Sequence, residues 1–401
     1  MENLMTNLPQ GWEVKTIDNT CEILDNKRVP ISQKNRISGI YPYYGASGIV
    51  DYIDKYIFDE ELVLIGEDGA KWGAFENSAF IASGKYWVNN HAHILKPNNE
   101  ILINKFLVYF LNYSNLEKYI TGATVKKLNQ QKLKQIEIPL PLLKEQERIV
   151  GILDESFAKI DESIKILEQD LLNLDELMQS ALQKAFNPLK DNAKENYKLP
   201  QGWEWKSLGE ISNLIQNGFA ASKNNEIPSG YVHLRTHNIS TDGNLKFDTL
   251  IRIKEEFIKE KQSFIEKDDI LFNNTNSTEL VGKTALVTQN YNYAFSNHLT
   301  KIKLKNQYNS KLVVFYFVLL LKNKYFEKIC HQWIGQSGIN IDKLKKIQIP
   351  LPPLQEQEQI AKHLDFVFEK TKALKELYAK ELQDYEELKQ SLLDKAFKGE
   401  L

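Results

Sequence analysis

Gly282-Lys283-Thr284 has the form of the tripeptide that closes a phosphate-binding loop. Such a loop cradles phosphates in backbone N–H groups and needs another glycine five positions before Gly282. That position is Ser277, so nucleotide binding is not expected. No Gly-x-Gly-x-x-Gly follows a strand pattern and no Gly-x-Ser-x-Gly elbow presents a nucleophile. An amino-methyltransferase would show Asn or Asp followed by Pro-Pro-aromatic; Asn187-Pro188-Leu189-Lys190 fails at two positions. Glu67, Asp68 and Lys71 have the wrong spacing for a nuclease carboxylate cluster, and acids between Gly66 and Gly69 read as a turn. His91 and His93 alternate on one strand pattern without an acidic or Cys partner nearby, so they read as core or surface histidines. Cys21 and Cys330 stand alone, which supports neither a disulfide nor a zinc site. No catalytic residue and no metal ligand is expected.

Contact with a nucleic acid is the other chemistry the residue types allow. Tyr43-Tyr44-Gly45-Ala46-Ser47-Gly48 joins stacking and hydrogen-bonding side chains to glycines that let backbone approach a phosphate, although a plain turn with core tyrosines has the same pattern. Gly122 to Lys127 offers Lys126 and Lys127 in a small, polar loop, and Gln336-Ser337-Gly338 holds the corresponding place later in the chain. Arg235 and Asn238 are the types that read guanine and adenine edges bidentately. With Lys71, Lys223 and Lys283 as further cations, the candidate DNA contacts are Tyr43, Tyr44, Ser47, Lys71, Lys126, Lys127, Lys223, Arg235, Asn238, Lys283, Gln336 and Ser337.

The elements that would position these residues come twice. Leu8-Pro9-Gln10-Gly11-Trp12-Glu13 recurs as Leu199-Pro200-Gln201-Gly202-Trp203-Glu204. Ile136-Glu137-Ile138-Pro139-Leu140-Pro141 recurs as Ile347-Gln348-Ile349-Pro350-Leu351-Pro352, and each closing motif runs on into Glu-Gln-Glu. Between these landmarks similarity nearly disappears and the second copy is 20 residues longer. Short β-rich runs separated by Gly, Asn and Asp make each copy an α/β (α+β) module. From Lys144 to Phe186 and from Gln355 to Phe397 the chain has no proline, and each stretch reads as one long helix.

The spacing divides the chain into a module over 1–143, a helix over 144–186, a polar linker over 187–198, a second module over 199–354 and a helix over 355–401. In the first helix Leu153, Phe157, Ile160, Ile164, Leu167, Leu171 and Leu174 keep an unbroken 4-3 spacing, a coiled-coil seam. In the second, Ile360, Leu364, Leu374 and Tyr378 belong to a seam that then slips by one and continues through Leu382 and Tyr385. Each stripe needs a partner, and the chain supplies one matching pair, so an antiparallel coiled coil with pseudo-twofold symmetry is expected.

Charge follows the same division. Residues 144–186 hold 5 Lys and Arg against 10 Asp and Glu, and 355–401 hold 8 against 11, so the helices are acidic. The second module has 20 against 14, and residues 8–143 of the first have 15 against 15. Base contacts would have to come from the modules, since acidic helices repel phosphates. No apolar stretch approaches the roughly 20 residues of a membrane span. Met1 to Trp12 lacks the features of an export signal, so a cytoplasmic location is expected.

The two Leu-Pro-x-Gly-Trp openings, the two Ile-Pro-Leu-Pro-x-Leu-x-Glu-Gln-Glu-x-Ile type closings and the two helices ending on Lys-Ala-Phe resemble the specificity subunit of type I restriction-modification systems, over the full chain. Tyr43 to Gly48 and Gly66 to Gly69 also look like pieces of that family's target-recognition domains. The resemblance implies that each module reads one half of a split sequence in double-stranded DNA. It implies a coiled coil that holds two modification subunits, which bind S-adenosylmethionine and methylate adenine, with restriction subunits adding ATP- and Mg-dependent translocation and cleavage. It implies no cofactor in this chain. Two other classes fit the residues less well: a coiled-coil adaptor for protein or another ligand, whose binding would ignore salt, and a self-sufficient nuclease or methyltransferase, which the missing motifs disfavour.

Overall fold

Gly11 and Gly202 both take φ +86°, a left-handed turn that glycine adopts without strain, and each swings the chain into a strand. Glu13–Thr16 then runs antiparallel to Glu137–Leu140, and Glu204–Ser207 runs antiparallel to Gln348–Leu351 in the same register. The opening and closing motifs of each copy are therefore the two sides of one ribbon. Pro139 and Pro350 are tolerated because each ribbon has only two strands, so an N–H is missing where no further ladder exists. This computed structural model describes residues 8–187, 199–255, 258 and 264–401. Apart from Asn187, the expected linker over 187–198 lies outside the described residues.

The chain forms two units, residues 1–168 with 378–401 and residues 169–377. In the first, an antiparallel sheet has the order Cys21–Ile23, Ala92–Pro97, Leu62–Gly66, Ala79–Ala82. Leu62–Gly66 is buried at every position, as a central strand with both faces covered must be. Helix Asn104–Tyr113 supplies Phe106, Leu107, Phe110 and Leu111 to the core. A second sheet has the order Gly48–Ile53, Ser38–Gly45, Lys85–Val88, Phe58–Asp59, with its middle pair parallel.

The second unit repeats this plan in strands of unrelated sequence. Its antiparallel sheet has the order Ser212–Asn217, Leu299–Leu304, Ile270–Asn273, Thr284–Leu286, and helix Ser310–Lys322 fills its core. Glu226–Leu234 and Ala294–Phe295 form the corresponding parallel pair. Many residue combinations satisfy the same pattern of burial, so the strand plan repeats where the letters do not.

The closing motifs dock the helices. Gln146 is fully buried; its Oε1 accepts from Ile103 N at 2.9 Å, and its Nε2 donates to Ile101 O at 2.8 Å and Pro141 O at 2.9 Å. Gln357 does the same in the second unit, accepting from Asn309 N at 2.9 Å and donating to Pro352 O at 2.8 Å. The glutamine of Glu-Gln-Glu thus ties the start of each long helix to the start of the module's covering helix.

The long helices are Leu143–Phe186 and Leu354–Lys398, about 66 Å each at 1.5 Å per residue, each beginning one residue before its expected start. The second stops short of Leu401 because Gly399 takes φ +70° and Glu400 N returns to Lys395 O, a Schellman closure. In the first unit Ile149 and Leu153 share a core with Leu393, Ala396 and Phe397, while Lys389 reaches Asp161 at 2.6 Å. In the second, Met178, Leu182 and Phe186 share a core with Ala361, Leu364 and Phe368, while Lys375 reaches Asp175 at 2.6 Å. Within each unit the helices run antiparallel.

Seam residues Leu153, Ile160, Leu167, Leu174 and Leu364 are buried, and Phe157, Ile164, Leu171, Ile360, Tyr378, Leu382 and Tyr385 are half-buried. Leu374 is a correction: it is 38 % exposed and faces away. The slip expected after Tyr378 does not occur. The seam steps through Leu364, Phe368, Thr371, Lys375, Tyr378, Leu382, Tyr385 and Lys389 in unbroken 4-3 spacing. Lys375 and Lys389 hold two seam positions by laying their methylenes along it and sending the ammonium to an aspartate.

Candidate nucleic-acid interface

In the first unit the Tyr43–Gly48 motif is the tip of the hairpin formed by Ser38–Gly45 and Gly48–Ile53. Tyr43 is not a contact residue. Its ring is buried under the Arg36 guanidinium, 4.5 Å from the ring centre, and its hydroxyl accepts from Ile31 N at 2.9 Å. Tyr44 packs on Phe80 and Tyr86 at 5.5 Å and is half-buried. Ser47, at the turn, is exposed. So are Lys71, whose nearest acid is Glu76 at 3.9 Å, and Lys126.

Lys127 anchors its loop instead, reaching Glu67 at 2.6 Å. Glu67 also receives Arg28, and the cluster continues to His93 and Asp25. Burial would push both carboxyls up, but hydrogen bonds from His93 on Asp25, and from Lys127 and Arg28 on Glu67, hold them below the usual carboxylate range. His93 is buried with Nδ1 2.6 Å from Asp25 and Nε2 2.6 Å from Leu128 O, while His91 lies 2.5 Å from Asp68. The expectation that these histidines lack acidic partners is therefore corrected; the fold brings the acids in from distant positions. Asp25, Glu67 and His93 place ligand atoms within 4.8 Å of one another, a spacing that suits a cation, but Arg28 and Lys127 already neutralise Glu67.

In the second unit the residue types misled more often. Lys283 is buried, with Nζ donating to Thr236 O at 2.9 Å and Ile239 O at 2.7 Å, and burial lowers its pKa. Asn238 is buried, accepting from Arg235 N at 2.8 Å and donating to Lys246 O and Thr249 O at 2.9 Å. Arg235 donates to Ala221 O at 3.1 Å beside Glu226 at 3.5 Å. Ser337 is buried with its hydroxyl 2.8 Å from that of Thr278. All four bond to neighbouring groups and brace loops, and of them only Arg235 is partly exposed. Lys223 and Gln336 are exposed. Of the expected residues, Ser47, Lys71, Lys126, Lys223 and Gln336 are exposed, and Tyr44, Lys127 and Arg235 are half-buried.

Two surface features had no signal in residue type alone. Ile40, Ile49, Val50 and Tyr52 are exposed on the Tyr43–Gly48 hairpin, and Trp333 and Ile334 are exposed on a hairpin of the second unit.

Residues 9–171 and 200–383 match the family described as "Type I restriction modification DNA specificity domain". The chain belongs to this family. A Haemophilus influenzae chain assigned as a type I restriction enzyme specificity subunit is 31% identical over 91% of this chain and 89% of its own. The EcoBI specificity subunit of Escherichia coli is 26% identical over 86% of this chain and 74% of its own. Among solved structures, a chain described in work on complex assembly and conformational transition of the type I R-M system superposes with a TM-score of 0.73 at 20% identity, covering 98% of this chain and 99% of that one. The HsdS subunit of Thermoanaerobacter tengcongensis gives 0.57 at 20% identity, covering 98% of each chain. As a type I specificity subunit, this chain is the DNA sequence-recognition component of a restriction-modification system, with two recognition domains. No helix among the described residues is long and apolar enough to cross a membrane.

Proposed function

We propose that the modules 8–143 and 199–354 each read one half of an asymmetric, split DNA sequence, and that the chain performs no bond-breaking step itself. The observation that carries this is the repeated strand plan with different side chains at corresponding loops: Lys126 and Val125 in one module, Gln336 and Ile334 in the other. Two readers of one design with different surfaces suit two unlike half-sites. The catalytic groups and cofactors, S-adenosylmethionine in two modification subunits and ATP with Mg in restriction subunits, would belong to partners in the cytoplasm. Phe366 and Leu377 on the second helix, and Leu172 and Leu177 on the first, are exposed apolar residues outside the seam, which supports a protein-binding role for the helices.

Sequencing N6-methyladenine in cells that express this chain with its modification subunits tests the reading. A split motif that depends on the chain, and of which only one half changes when residues 8–143 are exchanged, is the expected result. An assembled complex without any motif, and without salt-dependent affinity for duplex DNA, would sink it.

A further inference from the structure

We propose that Ile334, at the apex of a braced hairpin in the second module, is a wedge that enters the base stack of the DNA half-site this module reads. The proposal rests on the DNA-reading assignment above. His331–Trp333 and Gln336–Gly338 pair antiparallel with Trp333 opposite Gln336, so Ile334 and Gly335 form the turn. Gly335 takes φ +78°, the second-position glycine of a tight turn. Ile334 is fully exposed, at 106 %, the most exposed large apolar residue among the described residues.

The apex is held in place. A Cβ on Gly338 would lie 2.8 Å from the Trp333 ring, so the indole lies directly across that glycine. The indole also meets the His331 ring in a T-shaped pair, with ring centres 4.8 Å apart. Thr275–Asn276 adds a third strand, and the buried Ser337 hydroxyl meets that of Thr278. An aliphatic side chain has neither donor nor acceptor, so the one base-edge feature it can touch is the thymine methyl. It can also replace base-on-base contact, with the cost of unstacking offset by added contacts.

The surrounding charge selects the partner. Residues 322–346 hold six lysines against Glu327 and Asp342, so an apolar tip stands in a cationic segment, complementary to a phosphate backbone with an apolar interior. The first module has the same combination in the same place. Thr121 and Lys127 exchange backbone hydrogen bonds at 2.9 and 2.8 Å, Val125 is 67 % exposed near that tip, and residues 118–134 hold five lysines and no acid. In both modules the hairpin directly precedes a short helix capped by an asparagine, Asn129 or Asn340. A step opened by the wedge would also lower the cost of extruding a base for methylation.

The test uses the full chain assembled with its modification subunits, and duplexes carrying the sequenced methylation motif with 2-aminopurine placed at successive positions. Wild-type complex should raise the fluorescence at one step of the second half-site. Ile334→Ala should lose most of that rise and bind the intact duplex about tenfold more weakly, while binding like wild type when the step carries an abasic site; Ile334→Leu should restore both. Ile334 touches no core, so folding is not at issue. Wild-type fluorescence from Ile334→Ala, or equal weakening on intact and abasic duplexes, overturns the wedge and leaves the DNA reading standing. Absence of salt-dependent wild-type binding to the motif duplex overturns both.

Discussion

Gln146 makes three hydrogen bonds to main chain in a site without water access, and an alanine there leaves Ile103 N–H and the Ile101 and Pro141 carbonyls unpaired. Gln146→Ala should lower unfolding stability by about 2–3 kcal/mol, read by thermal melting, whereas Gln146→Glu keeps the acceptor and loses both donors. His233 is buried between Phe219, whose carbonyl lies 3.1 Å from Nε2, and the charge of Arg235. Burial first, and Arg235 second, push its pKa down to about 4 from the ordinary 6.5. The unfolded chain therefore takes up a proton near pH 6.5 and the folded chain only near pH 4. Stability is full above 6.5 and falls as pH drops through that window, by up to about 3 kcal/mol. Wild type should lose this much more than His233→Gln between pH 6.5 and 4 in parallel denaturant titrations; equal pH slopes would remove the assignment.

Along the helices, Asp161–Lys389 and Asp175–Lys375 are ion pairs on half-exposed seam edges. Each is worth under about 1 kcal/mol, so their part is to mark register rather than to hold the coil together. Lys389→Glu should lower the melting temperature by a few degrees and Asp161→Lys with Lys389→Glu should recover it; no recovery in the double variant would deny the pairing. These lysines also show what a sequence pattern can and cannot convey. The first seam was legible because every position from Leu153 to Leu174 is apolar. The second was misread at Leu374 because a lysine on the seam counts as polar in any periodicity, though most of its length is methylene. The repeat was legible because its opening and closing motifs recur almost letter for letter, whereas their pairing into ribbons was not, because it joins residues more than 100 positions apart. The fates of Tyr43, Asn238, Lys283 and Ser337 were not, because their partners Ile31, Thr249, Ile239 and Thr278 come near only once the sheets form.

At the scale of the molecule, neither unit has a long helix of its own; each takes part of both, the second as the continuous stretch 169–377 and the first as 1–168 completed by 378–401. Phe397 completes the first unit's core, its ring 5.4 Å from Phe106 and Phe110 and 5.1 Å from Tyr113, with Tyr113 donating to Asp394 at 3.0 Å. Phe397→Ala should cost that unit about 3–5 kcal/mol and leave the second unit's transition in place, so calorimetry should show one of two transitions move. A uniform shift of all unfolding would contradict the division. The same arrangement fixes an order of events on the ribosome. Residues 169–377 emerge before residues 378–401, so the unit whose synthesis begins first is the last to receive all its parts. Until Phe397 arrives, the nascent chain carries Phe106, Phe110 and Tyr113 without their cover, and a chaperone that holds emerging polypeptides would meet its apolar target in the N-terminal module.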